Sequence, residues 1–322
     1  MEKETGTILY EKEAKRQMEP ASVTKVMTLL LIMEAIDSGR ISREDVVTVS
    51  ARAAGMGGSQ VYLKEGEQMT VGELLKCITV VSGNDATVAM AEYLAGSESA
   101  FVQQMNQRAQ ELGMEDTNFV NCTGLPAAGH MTTAYDIALM SRELILHHPG
   151  IREYTTIWMD SIRDGAFGLT NTNRLVRFYE GTTGLKTGST DSALYCMSAT
   201  AERDGMELIA VVMAAPTAAD RFEDAKAMLD YGFGAYTLMQ VYPENPLAPI
   251  PVLLGTVGQI QPQLERECRV LVRKGEEGSV TTKLTLAQDL EAPVEPGQKV
   301  GELEILVNGE TRDTVSVISS EG

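Results

Sequence analysis

Histidine is scarce in this chain of 322 residues, which carries only His130, His147 and His148. They form no HExxH pair or comparable ligand spacing, so the common zinc-hydrolase patterns are excluded. No GxSxG elbow occurs either, which leaves a Ser-His-Asp hydrolase of that type without its main signature. Cysteine is equally sparse. Cys77, Cys122, Cys196 and Cys268 lie scattered in apolar stretches, none in a CxxC pair, and read as buried or semi-buried free thiols. Long hydrophobic runs are missing: the longest, Val26 to Met33, is far short of the roughly 20 residues of a membrane span and reads as a buried helix. No signal-peptide pattern is visible at the start. Basic residues number 27 against 45 acidic ones, a formal charge of -18. Such a field disfavours nucleic acid and anionic lipid, so an anionic substrate needs a local cluster of cations. A metal enzyme is not expected, and no cofactor is called for.

What is present is a chain that changes period part-way. Its length and 43% hydrophobic content suit one large domain and a smaller one. Thr7 to Tyr10 reads as a short strand. A helix is predicted from Ser22 to about Ser38, stopped by Gly39. Thr70 and Glu73 form a capping box for a helix that ends near Ser82-Gly83-Asn84. Further helices are expected over Ala86–Leu94, Ala100–Leu112 and from Thr133 to Leu146, where Pro149 forbids continuation. Strands then take over: Thr183–Thr187, Ala193–Ala201 and Glu207–Ala214, the last two joined by an Asp204-Gly205 hairpin signal. Asp220 and Glu223 cap a final helix reaching about Thr237. Pro243, Pro246, Pro249 and Pro251 mark a linker. Beyond it, segments such as Cys268–Val272 and Leu303–Val307 alternate as strands of a small all-β domain. The boundary falls at 241, giving domains 1–241 and 242–322.

Three short motifs carry the chemistry. Ser22-Val23-Thr24-Lys25 is SxxK, Ser82-Gly83-Asn84 is SGN, and Lys186-Thr187-Gly188 is KTG. SxxK alone is worth little, since average composition yields roughly one chance match in such a chain. The other two are each expected by chance in on the order of one chain in ten or fewer, and all three in this order are a specific signal. Residues three apart on a helix share a face, so Ser22 and Lys25 can meet. A serine hydroxyl needs an adjacent base, and Lys25 serves only when partly neutral. Desolvation by the apolar helix, and a second ammonium such as Lys186, push it that way. Gly188 on a strand lets a substrate backbone approach closely.

With these motifs on the page, the chain resembles the low-molecular-mass penicillin-binding D-Ala-D-Ala carboxypeptidases. The likeness extends to Tyr62-Leu63-Lys64-Glu65-Gly66, Thr132-Thr133-Ala134-Tyr135-Asp136, Leu229-Asp230-Tyr231-Gly232-Phe233 and the β domain. It implies an α+β fold: a penicillin-binding, serine β-lactamase-like domain with an antiparallel sheet flanked by helices, a helical subdomain, and then the small all-β domain. It also implies roles. Ser22 would be the acylated nucleophile, Lys25 its base, and Ser82 and Asn84 the relay and substrate clamp. Lys186 and Thr187 would bind a terminal carboxylate beside Gly188. Backbone N–H groups of Ser22 and Ser189 would form the oxyanion hole, and Arg221 lies at the position of a family arginine near the carboxylate. His130 receives no role. The implied partners are peptidoglycan stem peptides ending in D-Ala-D-Ala, with β-lactams as covalent inhibitors. The implied location is extracytoplasmic, with signal peptide and C-terminal membrane anchor trimmed away. Rival readings are a DD-endopeptidase on the same fold, a β-lactamase, and a non-catalytic peptidoglycan-binding protein. The β-lactamase reading lacks an ExxLN-like segment and does not account for the β domain.

Overall fold

The apolar run around Val26 becomes the helix Lys25–Asp37, ten of whose 13 residues are buried in the computed structural model, which describes residues 1–320. A helix apolar on every side belongs inside a domain. It packs against the helices Asn84–Ala95, Glu98–Glu111 and Ala134–His147. Each of the last two is capped by a side chain that accepts from a first-turn N–H: Ser97 from Ala100 and Thr133 from Asp136. The Thr70/Glu73 capping box forms as predicted, with Thr70 Oγ1 accepting from the Glu73 N–H at 3.2 Å and Glu73 Oε2 accepting from the Thr70 N–H at 3.0 Å. Its helix, Val71–Val81, stops at Ser82, which takes the left-handed conformation at φ 62°.

A three-stranded antiparallel sheet, Thr182–Thr190, Leu194–Arg203 and Met206–Ala215, faces this helical core. Asp204 and Gly205 both have positive φ, as their hairpin turn requires. The first strand carries the KTG motif, and its register sets Lys186 opposite Ser198 and Gly188 opposite Cys196.

Several sequence expectations need correction. Ser22 sits in a 3-10 turn, Ala21–Thr24, and the α-helix proper begins at Lys25. The helix after SGN starts at Asn84 rather than Ala86, because the Asn84 side chain is held in place by tertiary contacts. Thr7–Tyr10 forms no strand; Glu2, not this segment, bridges the edge strand, at Leu208. The last helix, Ala218–Ala235, is capped by Thr217, whose Oγ1 accepts from the Asp220 N–H, so the cap lies three residues before Asp220.

The chain divides into two units, Met1–Gly232 and the remainder from Phe233. Tyr236–Val241, assigned from sequence to the first domain, is a strand paired with Cys268–Arg273 in the second unit. The proline stretch is likewise not all linker, since Ile250–Leu253 is a strand. Proline is tolerated there because Pro251 pairs at the end of a short ladder with Gln259. The second unit contains a four-stranded sheet in the order Pro262–Leu264, Glu310–Ser319, Lys299–Val307, Val280–Leu286. Alternate residues Val270, Val272, Leu303, Ile305, Val307 and Val315 form its core, the period-2 pattern of half-buried strands. All four cysteines are buried free thiols. No helix among the described residues is long and apolar enough to cross a membrane.

Candidate active site

Two glycines bracket the turn that carries Ser22. A Cβ on Gly124 would fall 1.8 Å from the Ala21 carbonyl oxygen, and one on Gly188 would fall 2.6 Å from the Ser22 nitrogen. No side chain fits either position, so the KTG strand lies directly against the backbone of the serine turn. Gly124 also has φ +87°, which glycine adopts freely.

Lys25 is fully buried, and its ammonium donates to three acceptors: Ser22 Oγ at 2.9 Å, Asn84 Oδ1 at 2.7 Å and the Thr123 carbonyl at 2.8 Å. Burial outweighs the attraction of the Cys122 and Asp85 side chains and pulls its pKa from 10.5 down to about 7. At neutral pH a substantial fraction is therefore the free amine, able to take the Ser22 proton. Lys186 is also buried, and its Nζ donates to the Thr187 carbonyl at 2.9 Å. Burial, then the charges of Lys25 and Arg221, hold its pKa well below the ordinary lysine value.

Asn84 is fixed from both sides. Its Nδ2 donates to the Gly57 carbonyl at 2.8 Å, and its backbone N–H donates to the Ser59 carbonyl at 2.7 Å. The next residue, Asp85, accepts from the backbone N–H groups of Val61, Leu63 and Ala86. The Asn84-Asp85 pair thus clasps the 57–63 loop to the end of the SGN turn. Ser82 Oγ is buried with no hydrogen-bond partner among the described residues. Such a group is uncommon in a folded protein and suits a hydroxyl waiting for a ligand. Thr187 Oγ1 lies 2.7 Å from Thr172 Oγ1, and the Ser189 side chain is exposed at the strand end.

The D-alanyl-D-alanine carboxypeptidase family profile matches residues 1–217. A D-alanyl-D-alanine carboxypeptidase of Bacillus subtilis is 42% identical over 326 aligned residues, which take in 100% of this chain and 84% of the relative. The chain belongs to the D-alanyl-D-alanine carboxypeptidase family. Its second unit matches the profile of the penicillin-binding protein 5 C-terminal domain over residues 236–322. Among solved structures, penicillin-binding protein 5 of Haemophilus influenzae superposes with a TM-score of 0.85 at 27% identity, covering 100% of this chain and 95% of that one. The ampicillin-bound penicillin-binding protein D2 of Listeria monocytogenes gives 0.66 at 34% identity, covering 72% of this chain and 94% of that one. The fold is thus the penicillin-binding, β-lactamase-like domain followed by an all-β domain.

Within this family frame, the structure brings Ser22, Lys25 and Asn84 into direct contact and sets Gly188 against the Ser22 backbone. Arg221 is linked to the site through the KTG strand: its Nη1 donates to the Gly188 carbonyl at 3.2 Å and the Cys196 carbonyl at 3.3 Å. His130 is buried, with Nε2 2.7 Å from Thr24 Oγ1 and Nδ1 accepting from the Val120 N–H at 2.9 Å. Sequence reasoning missed Thr123, Thr172 and Asp85. Thr123 acts through its carbonyl, which no side-chain motif records. Asp85 follows SGN directly, and a buried acid at a helix start was the available hint.

Proposed function

We propose that this chain is a serine D-Ala-D-Ala carboxypeptidase in which Ser22 is the nucleophile and Lys25 its base. The observation that carries the reading is the 2.9 Å contact between a hydroxyl and a fully buried lysine whose pKa has fallen to about 7. The neutral Lys25 amine takes the Ser22 Oγ proton as the oxygen attacks the carbonyl carbon of the penultimate D-alanine. The peptide bond breaks, the departing D-alanine amine receives a proton from the lysine, and water later cleaves the acyl ester. Ser82 Oγ relays protons in this scheme, and Asn84 holds the peptide carbonyl. The N–H groups of Ser22 and Ser189 receive the oxyanion.

The terminal carboxylate lands between Lys186 and Thr187. An arriving anion favours the charged form of Lys186, opposing the burial that lowers its pKa. Arg221 supports this subsite through the Gly188 carbonyl. The partners are peptidoglycan stem peptides, and penicillins acylate Ser22 in their place. The peptidoglycan that carries these peptides lies outside the cytoplasmic membrane, so that is where the protein works. Intact-mass measurement after incubation with benzylpenicillin tests the assignment: one adduct is expected on the native chain and none on Ser22→Ala. An adduct that survives Ser22→Ala overturns it.

A further inference from the structure

The second unit presents an apolar hairpin tip to solvent. Ile250–Leu253 pairs with Gln259–Ile260, and Leu253–Val257 forms the loop between them. Leu254 is 90% exposed, Val257 54% and Leu253 45%. The tip belongs to a stretch, Asn245 to Leu264, with no charged residue, in a chain that is 22% charged. A second uncharged stretch, Thr117 to Tyr135, is accounted for by the first unit's interior, where it supplies Cys122, Thr123 and His130 around Lys25. In the hairpin, Ile250 and Ile260 are buried in a small core with Val300 and Val317, but no such burial accounts for its tip.

The backbone sharpens the point. Leu254 has φ +60°, a conformation in which asparagine or glycine is the ordinary choice. A branched aliphatic side chain held there and pointed into water has a conformational cost and gains no packing.

We infer that the Leu253–Val257 tip inserts into the interfacial region of a lipid bilayer. Size decides between a bilayer and a protein partner. A stable protein interface buries about 800 Å² on each side and takes roughly 20–30 residues, whereas this tip is a loop of five. Insertion of aliphatic groups into acyl chains needs no shape complementarity and scales with the carbon buried. The contact is weak and reversible, as expected of a single small apolar anchor. It favours neutral lipid, because Glu291 pairs beside Leu253, Asp289 is exposed nearby, and the whole chain carries -18.

The test is flotation of the full chain with phosphatidylcholine vesicles, and with vesicles containing phosphatidylglycerol. The native chain is expected to float with the neutral vesicles and less with the anionic ones. Changing Leu253, Leu254 and Val257 together to serine should lower partitioning at least tenfold. Leu254→Asn, which suits the left-handed backbone and so keeps the hairpin folded, should lower it several-fold. Benzylpenicillin labelling should be unchanged in both variants. Failure of the native chain to float, or equal flotation of the triple variant, overturns the inference. A concentration-dependent dimer in sedimentation velocity that the triple variant loses also overturns it, and assigns the tip to a second copy of the chain.

Discussion

Replacing Lys25 with methionine should abolish acylation and leave the fold as stable as before. Drawing this ammonium from 10.5 down to about 7 corresponds to about 5 kcal/mol of discrimination against its charged form. The lysine pKa is lowered on folding, so the unfolded chain holds the proton more tightly. Stability therefore rises with pH between about 7 and 10.5, and at neutral pH the native state still bears most of the cost. Methionine removes that cost and fills much of the same volume. Against this, the Asn84 Oδ1 and Thr123 carbonyl acceptors lose their donor, at about 1–3 kcal/mol each. The two effects cancel to within a few kcal/mol. The loss of a positioned base lowers the rate by about 10²–10⁴. Thermal melting and penicillin-labelling rates at neutral pH measure both quantities on one sample. Acylation within a few-fold of the native rate refutes the base assignment. A collapse in melting temperature of well over 10 °C would refute the energetic argument instead.

Other expectations follow from the same geometry. Acylation by benzylpenicillin should rise about tenfold from about pH 6 to about pH 8, with its midpoint set by the Lys25 value of about 7; a flat profile over that range excludes Lys25 as the titrating base. Gly188→Ala should cost at least about 100-fold in labelling, because its new carbon meets the Ser22 and Val23 nitrogens at 2.6 and 2.8 Å; near-native labelling would show that the strand and turn separate freely. Arg221→Met should lower kcat/KM of a D-Ala-D-Ala peptide and of its C-terminal amide by similar factors, since the guanidinium holds strand carbonyls. A loss confined to the free acid would place Arg221 on the carboxylate itself.

The elements that were legible in the sequence are those that local chemistry dictates. The Thr70/Glu73 box and the Asp204-Gly205 turn each need only a few adjacent residues, and both appear where the pattern puts them. The SxxK spacing holds even though Ser22 lies on a 3-10 turn, because i and i+3 are neighbours there too. What escaped was non-local. The Thr123 carbonyl reaches Lys25 across 98 positions in the chain, and Thr172 reaches Thr187 across 15. The short hairpin Met159–Ile162 with Phe167–Thr170 also went unread, its strands being four residues each. Thr7–Tyr10 has a strand's composition, yet Glu2 makes the bridge to the neighbouring edge strand. Composition reports willingness to pair and says nothing of which segment arrives.

The imidazole of His130 has a bearing on every titration of this site. Because Nδ1 accepts a backbone N–H, its single proton is fixed on Nε2 and directed at Thr24, the residue immediately before Lys25. Burial moves its pKa to about 4, so the ring stays uncharged throughout the range in which histidine ordinarily titrates. His147 and His148 sit at the far end of the Ala134–His147 helix, where His148 meets Asp37. An inflection of activity near neutrality, which in most hydrolases would be read as an imidazole, is here the signature of an amine. Histidine-selective reagents should accordingly leave the inflection where it is.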